Sequence, residues 1–488
     1  MDQLHPPSTP EPPAATRTAS LARQIIEDIR RGRLRPGERI PGSRRLAEAF
    51  GVHRNTVLAA LRGLEAEGWI TARAGQGTFI ATTLPMVTPT PFAAPAPPTR
   101  LAGYPVPEPP EDLASPPPPP STLALLGGLP DLSATPAAAL ARAWRRALRK
   151  GPAVLAYGDP RGVWALRVAL AELLRTERGL TITAENLVIT RGSQQALFLI
   201  GQALLRPGDR VAIEALGYRP AWAALAATGA TLVPIALDGD GLQVEALQAA
   251  HAEAPLRAVY LTPHHQFPTT VTLSAPRRVA LLAFAAEARL AVIEDDYDHE
   301  FHYVGRPILP LASADPAGVV IHCGTFSKVF APGLRLGYVV AAPATLDALT
   351  RWRVVVDRQG DAVGETAVAE LLGDGELTRH IRRMRRIYAQ RRAVMVGALR
   401  QNLSEFITFD VPPGGMALWA RLADGLDADA CASAAADRGV LVQPSSRFTD
   451  ARDVHALRIG FASLPEARLE EAVRRLGEAV RAVAQGRN

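Results

Sequence analysis

The chain has 488 residues, 48% of them hydrophobic and 21% charged, and carries a formal net charge of +6. That length exceeds one compact domain and predicts two or three. No apolar run is long enough to span a bilayer, the first residues lack a basic stretch followed by an apolar one, and Cys323 and Cys431 make neither a disulfide framework nor a metal-ligand spacing. The expectation is a cytoplasmic protein with no membrane partner and no metal centre.

The positive charge is concentrated early. Residues 21–80 hold 11 Arg against 6 acidic residues, which points to a polyanionic partner. Ile25, Ile26 and Ile29 sit at helical spacing and predict a helix over 21–31. Ser43 is the expected N-cap of a short second helix that runs through Phe50. After Gly51-Val52 a third helix opens at Arg54, with Val57, Ala60, Leu61 and Leu64 on one face, and stops at Gly68. Residues 69–73 and 78–80, parted by Ala74-Gly75-Gln76-Gly77, predict a hairpin. This is the order of a winged helix-turn-helix, bounded here at 18–82, whose recognition helix enters the major groove of duplex DNA. Arg54, Asn55 and Thr56 would offer helix N-terminal N–H groups to phosphate and polar side chains to base edges, Arg44 would grip phosphate, and Gly77 would let the hairpin backbone approach closely. A small helical module that binds protein shares the same elements.

Residues 83–121 read as a linker. Residues 85–120 contain 15 prolines, five of them consecutive at 116–120. Such a stretch cannot build a core and suits an extended spacer, at ~3.1 Å per residue no longer than roughly 110 Å.

From 122 to 488, short β-rich runs such as residues 187–190, 210–213, 258–261, 290–293 and 319–322 alternate with helical stretches. That pattern predicts an α/β domain with a mostly parallel sheet, whose ligand sits at the carboxyl ends of the strands. Basic residues in the chain are almost all Arg; Lys150 and Lys328 are the two lysines. A neutral primary amine forms a Schiff base with an aldehyde, and a guanidinium does not. Lys328 closes the turn Gly324-Thr325-Phe326-Ser327-Lys328, where Thr325, Ser327 and the nearby Arg335 suit a phosphate. Ser193 and Gln194 open a helix after a strand, a second anion-binding feature. If that aldehyde sits on a pyridine ring, a carboxylate of Glu294-Asp295-Asp296-Tyr297, after a strand, would hold the ring nitrogen protonated, and Tyr218 could stack on the ring. Each feature alone also fits a solvated loop, a helix cap or a packing aromatic. Lys150 ends an Arg-rich helix without such companions and reads as a solvated terminus.

The N-terminal stretch resembles the GntR family of bacterial regulators through Gly32-Arg33-Leu34-Arg35-Pro36-Gly37, Ile40-Pro41-Gly42-Ser43-Arg44, Arg54-Asn55-Thr56-Val57, Gly68-Trp69-Ile70 and Gly75-Gln76-Gly77-Thr78-Phe79-Ile80. Residues 140–480 resemble fold-type I aminotransferases, through Tyr157-Gly158-Asp159-Pro160-Arg161-Gly162, Thr190-Arg191-Gly192-Ser193-Gln194-Gln195, Glu294-Asp295-Asp296-Tyr297-Asp298-His299-Glu300-Phe301, Gly324–Lys328 and Leu457-Arg458-Ile459-Gly460. The combination is similar to the MocR subgroup of GntR regulators. The resemblance implies a large domain with a small α+β C-terminal subdomain, and pyridoxal 5'-phosphate as the cofactor. It makes Lys328 the Schiff-base lysine, pairs Asp295 with the pyridine nitrogen, and gives Tyr297 to the ring hydroxyl, Tyr218 to stacking and Arg335 to the phosphate. Tyr157 would reach the phosphate of the neighbouring subunit in a homodimer, Arg458 would take a ligand carboxylate, and Arg44, Arg54, Thr56 and Gly77 would contact promoter DNA. The linker would let one subunit's DNA-binding unit cross to the other. The function implied is transcriptional regulation in response to an amino compound, or to the cofactor itself; the alternative is a working aminotransferase with an accessory DNA-binding domain. Thr270 stands where the family has Gly, beside the unassigned His264, His265 and Gln266.

Overall fold

The computed structural model describes residues 14–85, 104–105, 119 and 121–486, with side chains from residue 17. Most of the Pro-rich segment predicted as a linker lies outside the described residues. The chain divides into two units, residues 1–108 and 109–488.

In the first unit, Leu21, Ile25 and Ile29 form one buried stripe on the helix Ala14–Arg30, as a four-residue repeat on a helix requires. That stripe packs with Leu46 of the helix Ser43–Phe50 and with Val57, Ala60 and Leu64 of the helix Arg54–Ala66. The strands Ile70–Arg73 and Gly77–Ile80 pair antiparallel and close the core with Ile70 and Ile80. Ser43 corrects the sequence reading: it is the first helical residue, Gly42 holds the cap position, and no side chain caps that end. The Ser43 hydroxyl instead accepts from Arg54 Nε at 3.2 Å, tying the second helix to the start of the third. His53 caps the third helix, its Nδ1 accepting from the Asn55 N–H at 3.2 Å.

In the second unit a seven-stranded sheet runs in the order Leu187–Thr190, Gly337–Val340, Val320–Thr325, Ala291–Asp296, Ala258–Leu261, Arg210–Glu214 and Thr231–Ile235. Gly337–Val340 is antiparallel to both neighbours and every other pairing is parallel. Side chains alternate between faces along each strand. Val188, Ile213, Tyr260, Ile293 and Val339 meet the helices Ser193–Leu204, Arg219–Ala226 and Pro343–Val356. Leu187, Ile189, Tyr338 and Val340 meet Ala137–Leu148, Trp164–Arg178 and Ala362–Gly373 on the opposite face. Both faces are thus covered, which explains why these strands read as continuous apolar runs.

A four-stranded antiparallel sheet of Ile407–Thr408, Ala417–Leu422, Ala456–Gly460 and Gln443–Pro444 packs on the helices Glu376–Leu403, Ala428–Ala436 and Glu466–Gln485, forming the small subdomain. The strand Leu123–Ala124 pairs with Val440–Leu441 beside it. No helix among the described residues is long and apolar enough to cross a membrane.

Candidate functional site

One cavity of about 170 Å³ collects the predicted chemistry. It is lined by Ser193, Gln194, Tyr218, Asp295, Tyr297, Thr325, Ser327, Lys328 and Arg335, together with Gly127, Gly128, Thr262, Phe267 and Pro332. Five parallel strands aim their carboxyl ends at it, delivering Ser193, Tyr218, Thr262, Asp295 and Thr325. The antiparallel strand Gly337–Val340 contributes from its beginning, just after Arg335. Lys328 follows the Val320–Thr325 strand by three residues, so its amine lies at the sheet edge where these loops converge.

At one end stand anion donors. Ser193, Gln194 and Gln195 precede the first intrahelical bond, Ala196 N–H to the Gly192 carbonyl, so their N–H groups form the positive end of a helix dipole. The Gln194 side-chain amide donates to the Pro220 carbonyl at 2.7 Å, leaving its backbone N–H as the donor to an anion. Gly192 has a φ of +79°, and a Cβ there would lie 3.0 Å from Arg335 Nη2. Glycine therefore lets the guanidinium lie against the helix start, where it donates to the Arg191 carbonyl at 3.0 Å.

At the other end, Asp295 is buried and accepts from the Tyr260 hydroxyl at 3.0 Å through Oδ2. Its Oδ1 has no partner among the described residues. Burial pushes its carboxyl up to about 6, against the Tyr260 bond that favours the ionised form. Burial, followed by the Arg458 charge, pulls the Lys328 amine down to about 8. A less protonated amine is the nucleophilic form. Lys150 stays outside this cavity, half-exposed and paired with Glu370 at 3.3 Å.

Arg458 is 1% exposed and reaches the site from the subdomain strand Ala456–Gly460. Its guanidinium carbon lies 4.1 Å from the centre of the Phe267 ring, and Nε and Nη1 lack partners among the described residues. A Cβ at Gly127 would collide with it, so Gly127 is glycine for room. The Tyr297 hydroxyl donates to the His265 carbonyl at 2.9 Å. The Gln266 amide donates to the Leu216 and Phe267 carbonyls, both at 2.7 Å, which makes it a loop brace. Thr270 takes a φ of +65°, a left-handed conformation that accounts for the glycine expected there. Tyr157 is 79% exposed and away from this cavity, with the Arg358 guanidinium 4.6 Å from the centre of its ring.

Sequence reasoning missed Tyr260, Phe267, Gly127 and Gly128. The pair Gly127-Gly128 was the one visible signal. In the first unit, Arg44, Arg54, Asn55 and Gly77 are exposed and Thr56 is half-buried. Arg54, Asn55 and Thr56 lie together on the first turn of the third helix.

Residues 17–80 match the family of bacterial regulatory proteins, gntR family, and residues 127–476 match aminotransferase class I and II. The probable rhizopine catabolism regulatory protein MocR of Rhizobium meliloti is 32% identical over 94% of this chain and 93% of its own length. The chain belongs to the MocR branch of the GntR family. Another relative in that branch, the pyridoxine biosynthesis transcriptional regulator PdxR of Corynebacterium glutamicum, is 30% identical over 94% of this chain and 96% of its own. The α-aminoadipate aminotransferase LysN of Thermus thermophilus, solved with N-(5'-phosphopyridoxyl)-L-leucine, matches 75% of this chain and 93% of its own with a TM-score of 0.70 at 31% identity. GntR-type helix-turn-helix regulators bind promoter DNA, and members of this branch are transcriptional regulators with an aminotransferase-like domain. Pyridoxal phosphate, the cofactor of that domain, fits this cavity on three features: a buried amine, an orphaned carboxylate oxygen, and a helix start beside an Arg fork.

Proposed function

We propose that the chain is a transcriptional regulator whose cavity holds pyridoxal phosphate through Lys328 and reads an amino compound bearing a carboxylate. The observation that carries this is the orphaned Oδ1 of buried Asp295 in the same cavity as Lys328. An unpartnered buried carboxylate is costly, and a protonated pyridine nitrogen is the partner that would satisfy it. Ser193, Gln194, Thr325, Ser327 and Arg335 would hold the phosphate, Tyr218 would cover the ring, and the Tyr297 hydroxyl, whose proton is given to the His265 carbonyl, would accept from the ring hydroxyl. When bound, the cofactor supplies an aldehyde to amines and an electron sink. The chain's part is to ease deprotonation of the Lys328 amine, orient the ring with Asp295 and exclude water. The buried Arg458 guanidinium, with Nε and Nη1 partnerless among the described residues, would take the ligand carboxylate. A ligand amine could take the place of Lys328, and freeing that side chain would bias the domain only if the ligand binds two arrangements unequally.

In the dimer, Tyr157 would reach the phosphate held by the other subunit, in keeping with its exposure here. Arg44, Arg54, Asn55, Thr56 and Gly77 would meet the operator. Full transamination is the second reading, because Lys328 and Asp295 are also what that chemistry needs.

Absorbance of the purified protein with added cofactor tests the assignment. Wild type gains the visible band of a lysine-bound aldehyde and Lys328→Ala does not; a band that survives Lys328→Ala sinks it. Single-turnover mixing with candidate amino acids then separates the readings. Arrest with the amine bound supports sensing, and repeated release of keto acid supports an enzyme.

A further inference from the structure

Behind the cofactor wall lies a second cluster that the reading above does not use. Four of the chain's ten histidines, His264, His265, His299 and His302, are buried together, each at most 8% exposed. They come from two loops, one after the strand Ala258–Leu261 and one after Ala291–Asp296. The ring centroids of His265, His299 and His302 lie 4.3, 4.5 and 6.1 Å from that of His264.

Their nitrogens are poorly served. Both nitrogens of His264, Nε2 of His265 and both nitrogens of His302 have no hydrogen-bond partner among the described residues. One nitrogen each from His264, His265 and His302 lie within 4.8 Å of one another. Packed apolar rings have no need to converge their polar atoms, and buried polar atoms left unpaired are costly. The carboxylates around them are arranged from outside. Asp298 Oδ1 lies 2.7 Å from His265 Nδ1, which fixes that nitrogen as the donor and leaves Nε2 as a lone pair facing the cluster. Asp296 Oδ2 lies 3.1 Å from His299 Nδ1. A carboxylate on the far nitrogen of an imidazole is how metal-binding histidines are oriented.

We propose that His264, His265 and His302 form a binding site for a divalent transition metal of the zinc class, with Asp298 positioning His265. Three imidazoles suit Zn²⁺, Co²⁺ or Ni²⁺ and not Mg²⁺ or Ca²⁺, which require oxygen ligands. With bonds of about 2.0–2.1 Å in a tetrahedral frame, ligand nitrogens stand roughly 3.3 Å apart. Gly414, from the loop before the subdomain strand Ala417–Leu422, approaches the cluster; a Cβ there would stand 2.6 Å from His265 Nε2. A metal would therefore pin together two loops of the large sheet at the point where the subdomain meets them. One of these loops supplies the His265 carbonyl that holds Tyr297.

The test uses tag-free, chelator-washed full-length protein titrated with Co²⁺. The expected result is an intense visible ligand-field band of tetrahedral type that saturates at one equivalent per chain and is abolished by one equivalent of Zn²⁺. The double variant His264→Gln/His302→Gln should lose the band while keeping its circular dichroism and its cofactor absorbance. Asp298→Asn should bind Co²⁺ about 10–100-fold more weakly, and His251→Gln, on a distant helix, should bind as wild type. Absence of a one-equivalent band in wild type, or its persistence in the double variant, would overturn the site. Because the metal is read directly, neither result depends on the cofactor assignment.

Discussion

Two residues at the centre of the cavity are held in protonation states that the fold itself resists. Asp295 is raised from 3.8 to about 6 by burial, so the native state keeps its proton more tightly than the unfolded chain. Its favourable contribution is fully present below about pH 4 and is lost as the pH climbs through about 6, leaving a penalty of roughly 3 kcal/mol at neutral pH. Lys328 moves the other way, from 10.5 to about 8. Its penalty is present below about pH 8 and fades as the pH rises toward the unfolded value. Both costs coincide between these two titrations. Asp295→Asn should therefore raise the thermal midpoint of cofactor-free protein near neutral pH and leave it unchanged near pH 4, while weakening cofactor binding. Scanning calorimetry at the two pH values, with a cofactor titration alongside, checks this. An unchanged midpoint at neutral pH would mean that the orphaned oxygen costs nothing. Lys328, Asp295, Thr325 and Arg335 were legible in the sequence because each belongs to a contiguous motif at a strand end. Tyr260 was not: it sits in the middle of an apolar strand, and only its register across from Ile293 brings its hydroxyl near Asp295.

At the scale of elements, the phosphate end depends on close backbone contact. Gly337 opens the antiparallel strand, and a Cβ on it would stand 2.8 Å from the Gly192 carbonyl carbon and 2.9 Å from the Gly324 oxygen. These are backbone atoms and cannot swing aside. Gly337→Ala should cost about 1–3 kcal/mol, as overpacking does, and should loosen the cofactor by shifting Arg335 from the helix start. Gly333→Ala, four residues earlier, meets nothing within 4 Å and should change neither. Urea unfolding with and without cofactor measures both effects. The named strands were placed to within about three residues, because their periodicity is local, whereas the first helix starts at Ala14, seven residues before the expected 21. The histidine cluster escaped for the opposite reason: its members are separated by some 35 positions in the chain, and their meeting depends on two loops folding over the same strand edge.

At the scale of the whole molecule, each unit has its own hydrophobic core. Changes to the DNA face should therefore leave the cofactor spectrum alone. Arg44→Ala and Arg54→Ala should each lower operator affinity and reduce the slope of log affinity against log salt by about one, as expected for one lost phosphate contact. Fluorescence anisotropy over a salt series gives that slope, and an unaltered slope would move these residues off the phosphates. The two-unit plan was readable from composition alone, since prolines cannot sustain a core.

The reversed strand Gly337–Val340 has a further consequence. Because it runs against its neighbours, it contributes its entrance to the same rim that the others reach by their exits. All chemistry is thereby gathered on one rim, and the opposite rim, where Arg210, Ala258 and Ala291 begin and Val340 ends, is left to scaffolding. A label or a reporter peptide spliced into that quiet rim would watch the protein without touching its reactive side.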